Sequence, residues 1–144
     1  MLDIGRNILQ AQSFSRMMGA SLDKLEEGFA ELSLEIGENF QQNHGFVHGG
    51  VISYMADNCL TFAGASTLGN CVTSEYKINY LRPAGGPRLI ARSTVISTGQ
   101  RQAGCEGQVI VSDGDEEKMV AVAPGTIAVA HEPLNRRTGY AGLM

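Results

Sequence analysis

Two features of this 144-residue chain have residue types and spacing that could do chemistry. The first is Asp57, the lone acid in a long apolar stretch, HGGVISYMADNCLTFAGAST, residues 48–67. A carboxylate among apolar side chains is costly unless it is paired or put to use. It can act as a general base or nucleophile in a pocket, or it can bond a neighbouring hydroxyl or backbone group and serve structure alone. The second feature is His48-Gly49-Gly50, at the start of the same stretch. Two glycines let a ligand approach the backbone closely. Unpaired N–H groups and the positive dipole end of a helix are a natural seat for a developing oxyanion. The plainer reading of Gly-Gly is a tight loop-to-helix turn.

Spacing constrains how these groups work together. Asp57 follows Gly49 by eight residues, which on a helix is roughly 12 Å along the axis. One chain cannot present both to one carbonyl. Two antiparallel helices in a twofold dimer can, because each Asp57 then faces the other chain's helix start. The expectation is two composite sites per dimer.

The elements that must position these groups follow from periodicity. Residues 48–67 lack Pro and are apolar nearly all round, which predicts a helix buried on most sides. Of its exceptions, Gly50, Ser53, Asp57, Thr61 and Gly64 fall at spacings of three or four, as one stripe, and only Asn58 and the terminal Ser66 and Thr67 stand apart. Residues 4–18 predict an N-terminal helix ended by Gly19, and 24–36 alternate as a strand. Residues 37–47 read as a loop. Strands follow at 71–82, 88–98, 102–112 and 117–130, with a turn at 83–87 and Pro124 suggesting a bulge or an edge. Short turns between the last four imply an antiparallel meander. On the alternation, Thr73 shares parity with Glu75 and Lys77, so it faces the helix only through a bulge or twist, or else points into a dimer interface. The tail, 131–144, is short and polar.

Composition narrows the function classes. With 43% hydrophobic residues the chain reads as one folded α+β domain over 1–144, a sheet curled around a helix. The net charge of −4 and the lack of a basic face argue against nucleic acid. No apolar run reaches a membrane span, and the N-terminus lacks a signal pattern, so a cytoplasmic location is expected. Cys59, Cys71 and Cys105 form no close pair, and His44, His48 and His131 lack zinc-helix spacing, so no metal is expected.

The segment Gln42-Asn43-His44-Gly45-Phe46-Val47-His48-Gly49-Gly50-Val51, followed by Asp57, resembles the hotdog-fold acyl-CoA thioesterases of the phenylacetate-pathway (PaaI-like) branch. That branch shows an Asn or Gln, a Gly, HGG, six residues and then Asp. Residues 73–84, TSEYKINYLRPA, resemble its strand ending in an aliphatic-x-Pro-Ala turn, and Gly99-Gln-Arg101 its later turn. The likeness covers roughly residues 24–130. It implies a hotdog fold, a curved antiparallel five-stranded sheet wrapped around a central helix with an N-terminal helix beside it, as a homodimer or dimer of dimers. It implies hydrolysis of an acyl-CoA substrate without a cofactor. Carried over, Asp57 activates water or attacks the thioester, and the Gly49 N–H holds its oxygen. Gln42 or the adjacent Asn43 orients nucleophile or substrate, and the Thr73 hydroxyl orients the water. His48 shapes the loop through hydrogen bonds rather than acting as a base, and with Gly50 it contributes to binding the substrate. The CoA phosphates call for cations, for which Arg82, Arg88, Arg101, Arg136 and Arg137 are candidates, Arg101 first because it follows a Gly turn.

Two rivals belong to other classes. A non-catalytic acyl-CoA binding module would bind such esters without turnover. A hotdog dehydratase acting on 3-hydroxyacyl thioesters would bring a His and an Asp into one site, which His48 and Asp57 could do only across a dimer.

Overall fold

The computed structural model describes residues 1–130. Helix α3 (Gly49–Leu68) lies on the inner face of a curved antiparallel sheet. The strands are β1 (Ser21–Glu26), β2 (Phe29–Glu35), β3 (Cys71–Tyr76), β4 (Asn79–Tyr80), β5 (Arg88–Thr98), β6 (Gln102–Ser112) and β7 (Glu117–Val129). They run in the order β1-β2-β5-β6-β7-β3, with β4 also on β7. Helices α1 (Leu2–Ala11) and α2 (Ser13–Met18) precede the sheet, and a 3-10 turn (Glu38–Phe40) lies in the loop before α3. No described helix is long and apolar enough to cross a membrane.

The helix is wrapped because it is apolar on nearly every side. Met55, Ala56, Cys59, Leu60 and Ala63 have almost no exposure, and they meet Leu32, Leu89, Ala91, Val109, Ala121 and Ile127 of the sheet. Each large side chain so enclosed contributes about 1.5–3 kcal/mol. Burial also pushes the Cys59 thiol well above its ordinary range, which makes it an inert packing group.

Seven strands replace the expected five because two expected strands are each divided. The 24–36 segment holds a hairpin: Glu26 pairs with Phe29 across a tight turn in which Gly28 takes φ +82°, a conformation that favours glycine. The 71–82 segment breaks after Tyr76, and the cause is Pro124. That residue lies within β7, a strand paired on both sides, and its carbonyl accepts from the Lys77 N–H at 3.0 Å. Its missing N–H faces the same side, so the ladder lapses between β3 and β4. Pro124 thus marks neither an edge strand nor a bulge of its own.

The expected four-strand meander is also corrected. Strands β5, β6 and β7 are consecutive, but β3 lies beyond β7, and residues 81–87 carry the chain back to β5 beside β2. The expected N-terminal helix is two helices. Gln12 is extended at ψ 111°, with its side-chain oxygen accepting from Ser15 Oγ at 2.6 Å. Gly19, at φ +83°, ends α2 as its sequence position predicts.

Close approach of α3 to β7 depends on Gly64. A Cβ there would lie 2.6 Å from Ile127 Cγ2 and 2.7 Å from its Cβ. The Ile127 side chain is fully buried and stiff at χ1. Gly64→Ala is therefore expected to lower stability by about 1–3 kcal/mol in urea unfolding. An ordinary mid-helix Gly→Ala change instead gains about 1 kcal/mol, so a stabilised variant would show that Ile127 yields.

Candidate active site

The polar stripe of α3 faces β3. Thr73 Oγ1 donates to Asp57 Oδ1 at 2.6 Å, and it also shares a hydrogen bond with Thr61 Oγ1 at 2.9 Å. Thr61 Oγ1 lies 2.9 Å from the Asp57 backbone oxygen, to which it can donate instead. One turn earlier, Ser53 Oγ and Tyr76 Oη lie 2.5 Å apart. These contacts need Thr73 and Tyr76 on the same side of β3, against strict alternation. A register shift between Thr73 and Glu75 provides this, with Ser74 as the extra residue.

Asp57 is half-buried rather than enclosed. Its flank of α3 is covered by β3 alone, and among the described residues no strand pairs with the outer edge of β3. Its Oδ2 has no hydrogen-bond partner among those residues, so one carboxylate oxygen is held and the other is open. The cluster therefore presents a fixed acceptor beside two hydroxyls, enough to seat and polarise a water molecule.

The start of α3 forms a second, separate constellation. His48 is the N-cap, and its Nδ1 accepts from the Gly50 N–H at 2.9 Å. The His48 N–H donates to Phe40 O at 2.8 Å, and the Val47 N–H to Ala84 O at 2.9 Å, which pins the preceding loop. The Gly49 N–H has no partner among the described residues. It borders a cavity of about 440 Å³ lined also by Gln42, Phe46, Tyr80 and Arg82. Gln42 is half-buried there, and its side-chain oxygen accepts from the His44 N–H, closing a turn. Asn43 is exposed and not among the lining residues. Of the two amide candidates, then, Gln42 is the one beside Gly49.

Tyr80 is the residue at this end that sequence reasoning missed. Its Oη donates to the Gly49 carbonyl at 3.0 Å, and its ring lies 3.5 Å from where a Gly49 Cβ would stand. Period-two alternation put it on a strand face with no hint of a helix start nearby. The pairing of Ser53, Asp57 and Thr61 with β3 had a signal, the stripe itself, but not its partner strand.

The arginine candidates are dispersed. Arg82 borders the Gly49 cavity. Arg101 is exposed in the β5–β6 turn, its carbonyl accepting from the Val129 N–H at 2.8 Å, at the other end of α3. Arg88 forms ion pairs with Asp23 at 3.7 Å and Glu35 at 3.5 Å, on the part of the sheet that holds β1 and β2. Arg136, Arg137 and His131 lie outside the described residues. No group of three His, Cys, Asp or Glu side chains among the described residues is placed to hold a metal ion.

A family model of the thioesterase superfamily matches residues 44–118, a span that contains Asp57, Thr73, His48, Gly49 and Tyr80 and begins just after Gln42. A candidate esterase of Saccharolobus solfataricus is 30% identical over 128 residues, 87% of this chain and 83% of that one. The acyl-coenzyme A thioesterase PaaI of Escherichia coli is 29% identical over 112 residues, 77% of this chain and 78% of that one. Among solved structures, a thioesterase family protein from Silicibacter pomeroyi superposes with a TM-score of 0.82 at 28% identity, covering 86% of this chain and 93% of that one. Escherichia coli PaaI superposes at 0.78 with 20% identity, covering 90% and 96%, and speaks for the fold alone. With its long helix wrapped by one antiparallel sheet and more than half its length matched by the family model, the chain is a hotdog-fold member of the thioesterase superfamily.

Proposed function

We propose that the chain hydrolyses acyl-CoA thioesters to a free acid and CoA at sites shared between two copies. The observation that carries this is the Asp57 carboxylate, held by Thr73 on one oxygen and open on the other. Asp57 takes a proton from water as that water attacks the thioester carbon, or attacks the carbon itself and is then released by water. The oxyanion that forms accepts from the Gly49 N–H of the second copy. The C–S bond breaks, and the thiolate leaves with the proton. Gln42 orients the thioester beside Gly49, and Arg82 and Arg101 are the cations offered to CoA phosphates.

The dimer reading rests on distance and on an open edge. Within one chain, Asp57 and Gly49 are on one rigid helix, roughly 12 Å apart, and Asp57 is not among the residues lining the Gly49 cavity. The outer edge of β3 has backbone groups without a strand partner among the described residues. A twofold axis beside β3 would continue the sheet and set the two α3 helices antiparallel.

Thiol release from phenylacetyl-, benzoyl-, hexanoyl- and decanoyl-CoA is the direct test. Asp57→Asn keeps an acceptor for Thr73 and is expected to retain the fold while turnover falls by roughly 10²-fold or more. Near-normal turnover would remove Asp57 from the mechanism. Tight binding without thiol release from any ester would favour the binding module.

Gly49→Pro deletes the N–H at a helix position where proline is well tolerated. Mixed with Asp57→Asn chains and reassembled, it is expected to restore about a quarter of wild-type activity, since half of the dimers are mixed and each carries one intact site. Sites contained in single chains would regain nothing.

His48→Ala tests the cap. A loss of about 0.5–2 kcal/mol in unfolding free energy is expected, with turnover largely kept in the folded protein. Abolished turnover at unchanged stability would give His48 a direct part.

A further inference from the structure

We infer that the cleft between α1 and the second half of α3 holds the apolar acyl chain of the thioester, and that Ile4 and Ile8 set the longest chain it takes. This rests on the reading of Asp57 as the hydrolytic centre. The cleft has a volume of about 460 Å³, within the range of small-molecule sites. Along α3 its lining runs from Asn58 to Ser66, roughly 12 Å of helix.

Continuity with the carboxylate is the first argument. Thr61 lines the cleft, and its hydroxyl is bonded to Thr73 Oγ1, which donates to Asp57. Asn58, next to Asp57 in the chain, lines it too. Two hydroxyls, Thr61 and Thr73, therefore link the cleft to the Asp57 carboxylate, beside which the carbonyl of a bound ester would have to lie.

The second argument is the wall. On α1 the Gly5 and Leu9 flank is buried against the body of the protein. The next flank carries Ile4 and Ile8, 67% and 51% exposed, and both line the cleft. Two isoleucines one turn apart, turned to a hollow, are apolar surface that an alkyl or aryl chain would remove from water. The wall is also pinned. Tyr54 Oη donates to Ser15 Oγ at 2.7 Å, Ser15 Oγ to Gln12 Oε1 at 2.6 Å, and Asn58 Nδ2 to Tyr54 Oη at 3.2 Å. The elbow between α1 and α2 is thereby tied to the two α3 residues that bracket the Asp57 turn.

Charge decides which part of the ester enters. No Asp, Glu, Lys or Arg side chain lines the cleft. Phosphates there would lose water without a charged side chain to pair with, so the nucleotide half of CoA lies elsewhere and the acyl half is the occupant.

Ile8→Trp fills the cleft from the exposed flank of α1 and leaves the buried flank untouched. The probes are acetyl-, hexanoyl- and decanoyl-CoA, read by kcat/KM for thiol release and by Kd in the Asp57→Asn background. Wild type is expected to gain roughly fourfold per methylene until the cleft is full. Ile8→Trp is expected to lose roughly tenfold or more on decanoyl-CoA, the equivalent of two or so methylenes, with acetyl-CoA unchanged. An equal loss on all three esters, or none on decanoyl-CoA, overturns the proposal. So does a changed oligomeric state in sedimentation, which would assign Ile8 to a contact between copies. If wild type releases no thiol at all, the hydrolytic reading fails by itself. Decanoyl-CoA binding that Ile8→Trp still weakens would then uphold the cleft, and binding indifferent to it would overturn the cleft as well.

Discussion

Helix α3 is apolar on nearly every side, and the sheet has its curved form because that helix must be covered. A flat sheet would shield one flank of a twenty-residue helix and leave the others in water. Curling brings β2, β5, β6 and β7 around Met55, Cys59, Leu60 and Ala63. Coverage then runs out on the flank that carries Ser53, Asp57 and Thr61, where only β3 is present. The one polar stripe of the helix and the open end of the sheet coincide. A carboxylate on that flank stays half-buried, fixed by one hydroxyl and reachable from outside.

Two irregularities of β3 do the positioning. The register shift at Ser74 turns Thr73 toward Asp57 while Tyr76 still reaches Ser53. The lapse opposite Pro124 then frees the chain to restart as β4, which sets Tyr80 against Gly49 at the far end of α3. A regular strand through 71–82 would keep strict alternation, and Thr73 would face away from the carboxylate it bonds. Both ends of the helix thus receive a strand-borne partner from one short stretch because that stretch is not a single strand.

The parts legible in the sequence were those set by local pattern. The central helix, its stripe and the last three strands follow from periodicity, and Gly19 ends its helix as a left-handed cap. The illegible parts depend on what lies opposite. Nothing within 71–82 announces a break, because the cause is a proline some forty residues later in a neighbouring strand. Gln12 has ordinary helix propensity, and only its bonds to Ser15 and Asn58 explain the elbow there. The Glu27-Gly28 turn was hidden by alternation that continued on both sides of it. At the site, residue types pointed to Asp57 and the Gly49 N–H, whereas Gln42 and Thr73 were named only by the family resemblance. Tyr80 carried no local signal, since its partner is a backbone oxygen thirty-one residues away.

The spacing of Asp57 and Gly49 links this geometry to the proposed chemistry. A helix is stiff, so two groups on it roughly 12 Å apart stay so, and no loop motion within α3 closes the gap. A hydrolytic site that needs both must take one from elsewhere. The structure offers a place for that supply: the half-covered flank of α3 and the unpaired edge of β3 are side by side. A second copy docked there about a twofold axis reverses the helix direction, so its Gly49 end lies opposite this chain's Asp57. The incomplete covering of the helix and the separation of the two groups are then answered by one contact, and the acyl cleft along α1 opens beside it.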